Sequence, residues 1–182
     1  MTAFDQAWDV VKMPILPNTV KRRTYQPNED WKYDWIGGGN EPMVQYDAQF
    51  LDPVSNEVLP MQLNMEGDRN ERVLAQIKGK EKDRMTDEEI ADDFYGGTRA
   101  FAYARSDSPR HPDDNSGNYK ARNLETREEY QRRGYATALY DLIAYALKHH
   151  KDGFGFIPDG MQSEEASEMW GGRDKWPVRD DL

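Results

Sequence analysis

Stretches between residues 43 and 79 alternate apolar and polar side chains with a period of two, and this alternation limits the fold more than any other feature of the chain. In MVQYDAQF (43–50), Val44, Tyr46, Ala48 and Phe50 share one face. VLPMQLNM (58–65) follows after a loop holding Asp52-Pro53 and Asn56, and in ERVLAQIKG (71–79) Val73, Ala75 and Ile77 share a face. Successive strand side chains point to opposite faces, so these runs predict half-buried strands, and the intervening turn residues predict an antiparallel succession. TRAFAYAR (98–105) continues the pattern, with Ala100, Ala102 and Ala104 on one face and Phe101 and Tyr103 on the other. YKARNLET (119–126) adds a further strand beyond the long polar loop SDSPRHPDDNSGN. Between strands, TDEEIADDFYGG (86–97) predicts a short acidic helix: Thr86 and Glu89 have capping-box spacing, and two glycines end it.

The segment before Pro42 reads differently. Pro14, Pro17 and Pro27 prevent a long helix or central strand, and the same stretch holds Lys21, Arg22, Arg23 and Gly37-Gly38-Gly39. A short helix from Phe4 to Val11 is expected before the prolines, and Trp8, Trp31 and Trp35 are costly to leave in water. Residues 1–41 are therefore expected to form an extended arm lying across a surface, the domain's own or that of a partner or second subunit. A chain of 182 residues suits one substantial domain, giving an α/β domain over 42–172 and a C-terminal tail over 173–182. Five Trp, ten Tyr and six Phe supply large buried areas despite a mean hydropathy of −1.01. A net charge of −10 disfavours nucleic-acid binding through the whole surface. The absence of cysteine excludes disulfides, thiolate metal sites and cysteine nucleophiles, and three histidines are too few for a histidine-rich metal cage. No apolar run has membrane-spanning length, so the expectation is a soluble, cytoplasmic protein with no membrane partner and no metal.

The last third carries the chemistry. GYATALYDLIAYALKHH (134–150) places Ala136, Leu139, Ile143 and Ala146 or Leu147 on one helical stripe, with Lys148, His149 and His150 in the last turn beside the carbonyl end of the dipole. GFGFI (153–157) predicts a short buried strand. SEEASEMW (163–170) predicts a short helix, capped by Ser163 and stopped by Gly171-Gly172. A strand, then a glycine-containing loop, then a helix start is where exposed backbone N–H groups and the helix dipole favour phosphate. In Gln131-Arg132-Arg133-Gly134-Tyr135-Ala136, Gly134 allows close approach, Ala136 keeps the first turn slim, and both arginines add charge. Residue by residue, the stretch is equally compatible with a charged turn that merely precedes a helix.

These six residues match a Q/R-x-x-G-x-G/A motif and resemble the corresponding loop of the GNAT superfamily of acyl-CoA N-acyltransferases. The helix, short strand and second helix that follow extend the resemblance over about residues 119–172, with Ser163, Ala166, Met169 and Trp170 spaced like the family's N-x-x-A-x-x-L-Y segment. The resemblance implies an α+β fold with a mixed, mostly antiparallel sheet flanked by helices. It implies that N–H groups from Gln131 to Ala136 hold the diphosphate of acetyl-CoA, with Leu124 and Thr126 beside the pantetheine arm. A splay between the 119–126 strand and the next, near Phe154 to Ile157, would admit the cofactor, and the acetyl group would pass directly to an amine. Glu125, at a rigid strand position, is the expected base, ahead of Glu128 and Glu129. Tyr130 is the expected acid, with Tyr135 and Tyr140 as the other nearby phenols.

The chain also departs from the family pattern. Trp170 stands where the family often has the tyrosine that protonates the leaving thiolate, which an indole N–H cannot do. Ser163 replaces an asparagine, and Gly172 is followed by a short tail where a hairpin is usual. The negative charge favours a cationic acceptor, such as an amine-bearing small molecule or a protein lysine. The departures favour a second reading: a GNAT-fold binding or structural protein without turnover, similar to truncated phage-encoded versions of the domain. Such a protein would be an assembly component or an inhibitor, and virion-associated if phage-encoded.

Overall fold

The period-two runs form a seven-stranded sheet whose spatial order follows the sequence. The computed structural model describes residues 14–25, 43–66, 72–79, 97–106, 118–150, 155–160 and 162–182. The strands are β1 (Lys21–Tyr25), β2 (Met43–Leu51), β3 (Val58–Glu66), β4 (Arg72–Lys78), β5 (Thr98–Ser106), β6 (Asn118–Thr126) and β7 (Gly155–Ile157). Neighbours from β1 to β6 pair antiparallel, and β6 pairs with β7 in parallel. A parallel pair needs a long crossover. Helix α1 (Tyr135–His150) supplies it, and a second helix, α2 (Glu164–Trp170), follows β7. The architecture is thus α+β with a mostly antiparallel sheet. The helix expected over Phe4 to Val11, the residues Trp8, Trp31 and Trp35, the acidic helix before Gly97 and most of the 106–118 loop lie outside the described residues.

Register turns the alternation into rows of core side chains. Tyr46, Leu63, Ala75, Ala102 and Leu124 stand side by side across five strands, and Val44, Met65, Val73, Ala104 and Ala121 form the next row. Nearly all of these are buried, with Leu124 partly so. The three alanines of β5 leave room for α1, which lies across β4 to β7 and buries Ala138, Leu139, Leu142, Ile143, Ala146 and Leu147. More of α1 is buried than one stripe, because the C-terminal segment covers its far side.

Two segments add to the fold beyond what alternation reveals, one to the sheet and one to the core. Residues 14–25, read from sequence as part of the arm, join the sheet instead. Leu51 donates its N–H to the Pro14 carbonyl and Leu16 donates to Gln49, an isolated bridge pairs Ile15 with Phe50, and β1 pairs Lys21 with Asp47 through to Tyr25 with Met43. The prolines interrupt this path without ending it, since a bridge and a new strand fit between and after them. Residues 173–182 fold back: Trp176 donates its N–H to the Phe156 carbonyl at 2.8 Å, and Asn18 donates to Asp181 at 2.9 Å. The Trp176 ring lies 5.1 Å from both Tyr140 and Trp170, closing an aromatic group that also includes Phe156.

Candidate functional site

The parallel pairing of β6 with β7 covers only Asn118–Lys120 against Gly155–Ile157. Beyond it β6 continues to Thr126, while the chain after β7 leaves through Pro158 toward α2. The divergence opens a cleft of about 640 Å³. Its walls are residues 121–124 and Thr126 of β6, the loop and first turns of α1, and the Ser163, Ala166, Met169 and Trp170 side of α2. A bulge at Arg122, between Ala121 and Asn123, bends this part of β6. Arg122 reaches across the mouth to Asp159 at 3.0 Å.

One end of the cleft is the start of α1. A single 3-10 turn, Glu128–Tyr130, leads into the loop, where Arg132 has φ 59° and Gly134 has φ 82°. Such a φ suits glycine; at Arg132 it costs about 1 kcal/mol and must be held by its surroundings. The Gly134 carbonyl accepts the Ala138 N–H at 3.0 Å, so the helix begins at Tyr135. The N–H groups of Tyr135, Ala136 and Thr137 therefore have no acceptor within the helix, and no acidic side chain occupies its first turn. The dipole's positive end faces the cleft without a carboxylate of the same turn to neutralise it.

Behind the loop lies a polar cluster buried in the core. Asp52, fully buried in the turn after β2, accepts the Val54 and Ser55 N–H groups at 2.8 and 3.1 Å on Oδ1. Its Oδ2 accepts the Tyr135 hydroxyl at 2.8 Å and the Arg133 guanidinium at 3.4 Å. Arg99 donates to the Tyr135 hydroxyl oxygen at 3.2 Å and pairs with Glu57 at 3.2 Å. Arg99 also lies over the Tyr130 ring, 4.4 Å from its centroid, with Arg133 at 5.5 Å. Burial alone would raise the Asp52 carboxyl; the Tyr135 hydroxyl, the two N–H groups and Arg133 together outweigh it and hold the carboxyl below its ordinary range. Burial pushes the Tyr135 phenol well up, Arg99 opposes this and Asp52 reinforces it.

The structure sorts the residues singled out from sequence. Leu124, Thr126, Tyr130, Gln131, Arg132, Gly134, Tyr135 and Ala136 all line the cleft. Arg133 does not; its guanidinium turns to Asp52 instead. Glu125 pairs with Phe101, and Leu124 pairs with Ala102, so period two puts Glu125 on the sheet face opposite α1 and outside the cleft. Tyr140 lines the cleft with its ring 5.5 Å from that of Trp170, and burial pushes the phenol up to about 12. Trp170 is itself 2% exposed, a core residue of the aromatic group.

Asp52 and Arg99 were not legible as site residues. Asp52 read only as a turn residue beside Pro53, and nothing local links it to a helix 83 positions on. Alternation puts Arg99 on the face of Phe101. A register shift, with Ile77 opposite Ala100 and Lys78 opposite Thr98, leaves Arg99 as an extra residue whose guanidinium reaches Tyr135 on the α1 side. Among the described residues, no group of three acidic or histidine side chains is arranged to hold a metal, and no helix is long and apolar enough to cross a membrane. No family model, curated protein or solved structure matches the chain.

Proposed function

We propose that the cleft binds acetyl-CoA and that the chain is a GNAT-like N-acetyltransferase acting on an amine. The observation that carries this reading is the start of α1, preceded by Gly134 and without an acidic residue in its first turn, at one end of a cleft opened by the short β6–β7 pairing. A diphosphate needs converging N–H donors and positive charge, which the loop backbone and Arg132 offer, and the Leu124, Ala166 and Met169 wall suits an extended apolar arm. Acetyl-CoA, when bound, supplies the thioester whose C–S bond breaks as the amine nitrogen bonds to the acyl carbon. Tyr140 lines the cleft and keeps its proton at neutral pH, as a general acid for the leaving thiolate must. Tyr130 also lines the cleft, with its ring under Arg99 and Arg133, so both phenols stand as candidate acids. Glu125, on the far face, could take the amine's proton only around the end of β6 through water.

The same placement of Glu125, with Trp170 in the core, favours a second reading in which the fold binds without turnover. Thermal unfolding with acetyl-CoA tests the first reading. The ligand should raise Tm, and Gly134→Glu should abolish the rise by filling and repelling the phosphate position. No rise at millimolar acetyl-CoA would overturn the acyl-CoA reading. Given a rise, release of free CoA with a polyamine, an aminoglycoside or a lysine peptide separates an enzyme from a binding protein.

A further inference from the structure

We infer that Asp52 is the positioning residue of the anion-binding loop: through Tyr135 and Arg133 it fixes where the N–H groups of residues 132–136 point. The inference rests on the acyl-CoA reading above for its ligand and on the buried cluster for its mechanism.

The two oxygens of the Asp52 carboxylate do different work. Oδ1 accepts two N–H groups of its own turn, which orients the carboxylate, and Oδ2 is thereby aimed at the loop. Tyr135 is the first residue of α1, and its hydroxyl has both capacities used, donating to Asp52 and accepting from Arg99. Its ring lies 4.4 Å from Phe50, so the helix start is pinned to the end of β2 by packing as well as by hydrogen bonds. On the other side of the left-handed Arg132, Tyr130 is held under Arg99 and Arg133. A non-glycine residue stays in that conformation only when both flanks are fixed, and here both flanks end on one cluster centred on Asp52. Asp52 also takes up the charge of Arg133, leaving Arg132 as the arginine of this pair that lines the cleft.

Asp52→Asn separates the two roles. An asparagine Oδ1 still accepts the Val54 and Ser55 N–H groups, while its amide nitrogen offers no acceptor to Tyr135 or Arg133. Tyr135→Phe removes only the hydroxyl. Titration calorimetry of the full chain with CoA should show each variant weakened about tenfold, as expected for loss of a buried charge-assisted hydrogen bond. The double variant should be no weaker than the worse single one, because both changes break one connection. Wild-type affinity in either folded variant, or penalties that simply multiply, would overturn the inference. A merely structural Asp52 would lower Tm and leave the CoA Kd unchanged. If Asp52→Asn does not fold, Tyr135→Phe decides alone. If the wild-type chain does not bind CoA, the acyl-CoA reading fails, and the positioning role is judged by ¹⁵N relaxation. Lower order parameters confined to residues 131–136 in Tyr135→Phe support it, and unchanged ones reject it.

Discussion

Two buried aspartates have opposite pH behaviour because their partners differ. Asp52 gathers enough donors to outweigh burial, so its contribution to stability is present above the ordinary carboxylate pKa and is lost as pH falls through its depressed value. Asp141, on α1, accepts the Trp176 indole N–H at 2.8 Å and faces Arg179 at 3.7 Å, with Asp181 nearby. Burial dominates there and pushes its carboxyl from 3.8 up to about 6. The native state then holds this proton more tightly than the unfolded chain, so stability falls as pH rises from about 4 through about 6 and levels off above. Asp141→Asn keeps an acceptor for Trp176 and should remove that slope, which amounts to about 3 kcal/mol between the two plateaus. Calorimetric unfolding from pH 4 to 8 checks this, and an unchanged slope in the variant would reject it. Neither aspartate was legible as special: Asp141 sits among apolar residues of a helix, and only the folded-back tail shows what it meets. The side chains of Val73, Ala75 and Ile77, by contrast, were assigned to the core from alternation alone, and all are buried.

Helix α2 shows how local signals set an element and tertiary contacts give it a place. Ser163 accepts the Ala166 N–H at 3.2 Å as the N-cap, Glu164 and Glu165 occupy the first turn, and Gly171 ends the helix at φ 56°. Each of these was readable in SEEASEMWGG. A helix this short is not stable by itself in water, so it persists through the burial of Trp170 and the cap at each end. Ser163→Ala should cost about 1 kcal/mol through the lost cap. Gly171→Ala should cost a similar amount, about 1–2 kcal/mol, by forcing a Cβ into the left-handed region. Urea unfolding measures both, and the two should add, since the caps share no partner. The bulges at Arg99 and Arg122 were not readable, because an inserted residue changes pairing without changing local composition.

Across the whole molecule, residues 15–18 meet the C-terminal segment: Asn18 donates its N–H to the Asp181 carbonyl, Arg179 reaches the Ile15 carbonyl, and Leu182 is buried. The C-terminal segment backs the aromatic wall of the cleft through Trp176. Trp176→Ala should cost about 3–5 kcal/mol in chemical denaturation, comparable to truncating other core aromatics, and a loss under about 1 kcal/mol would show that the segment is dispensable. Because Tyr140 and Trp170 both touch Trp176, the proposed acetyl-CoA binding predicts a smaller ligand-induced rise in Tm for the same variant. Sequence by itself determined the strands from β2 to β7, helices α1 and α2 with the caps of α2, and the glycine loop before α1, because periodicity and capping act within a few residues. Only the tertiary structure decided that residues 14–25 and 173–182 belong to the sheet and core, that Arg133 serves Asp52 and that Glu125 faces away from the cleft. Those outcomes depend on register, bulges and contacts across scores of residues, and register is a property of the paired strands together.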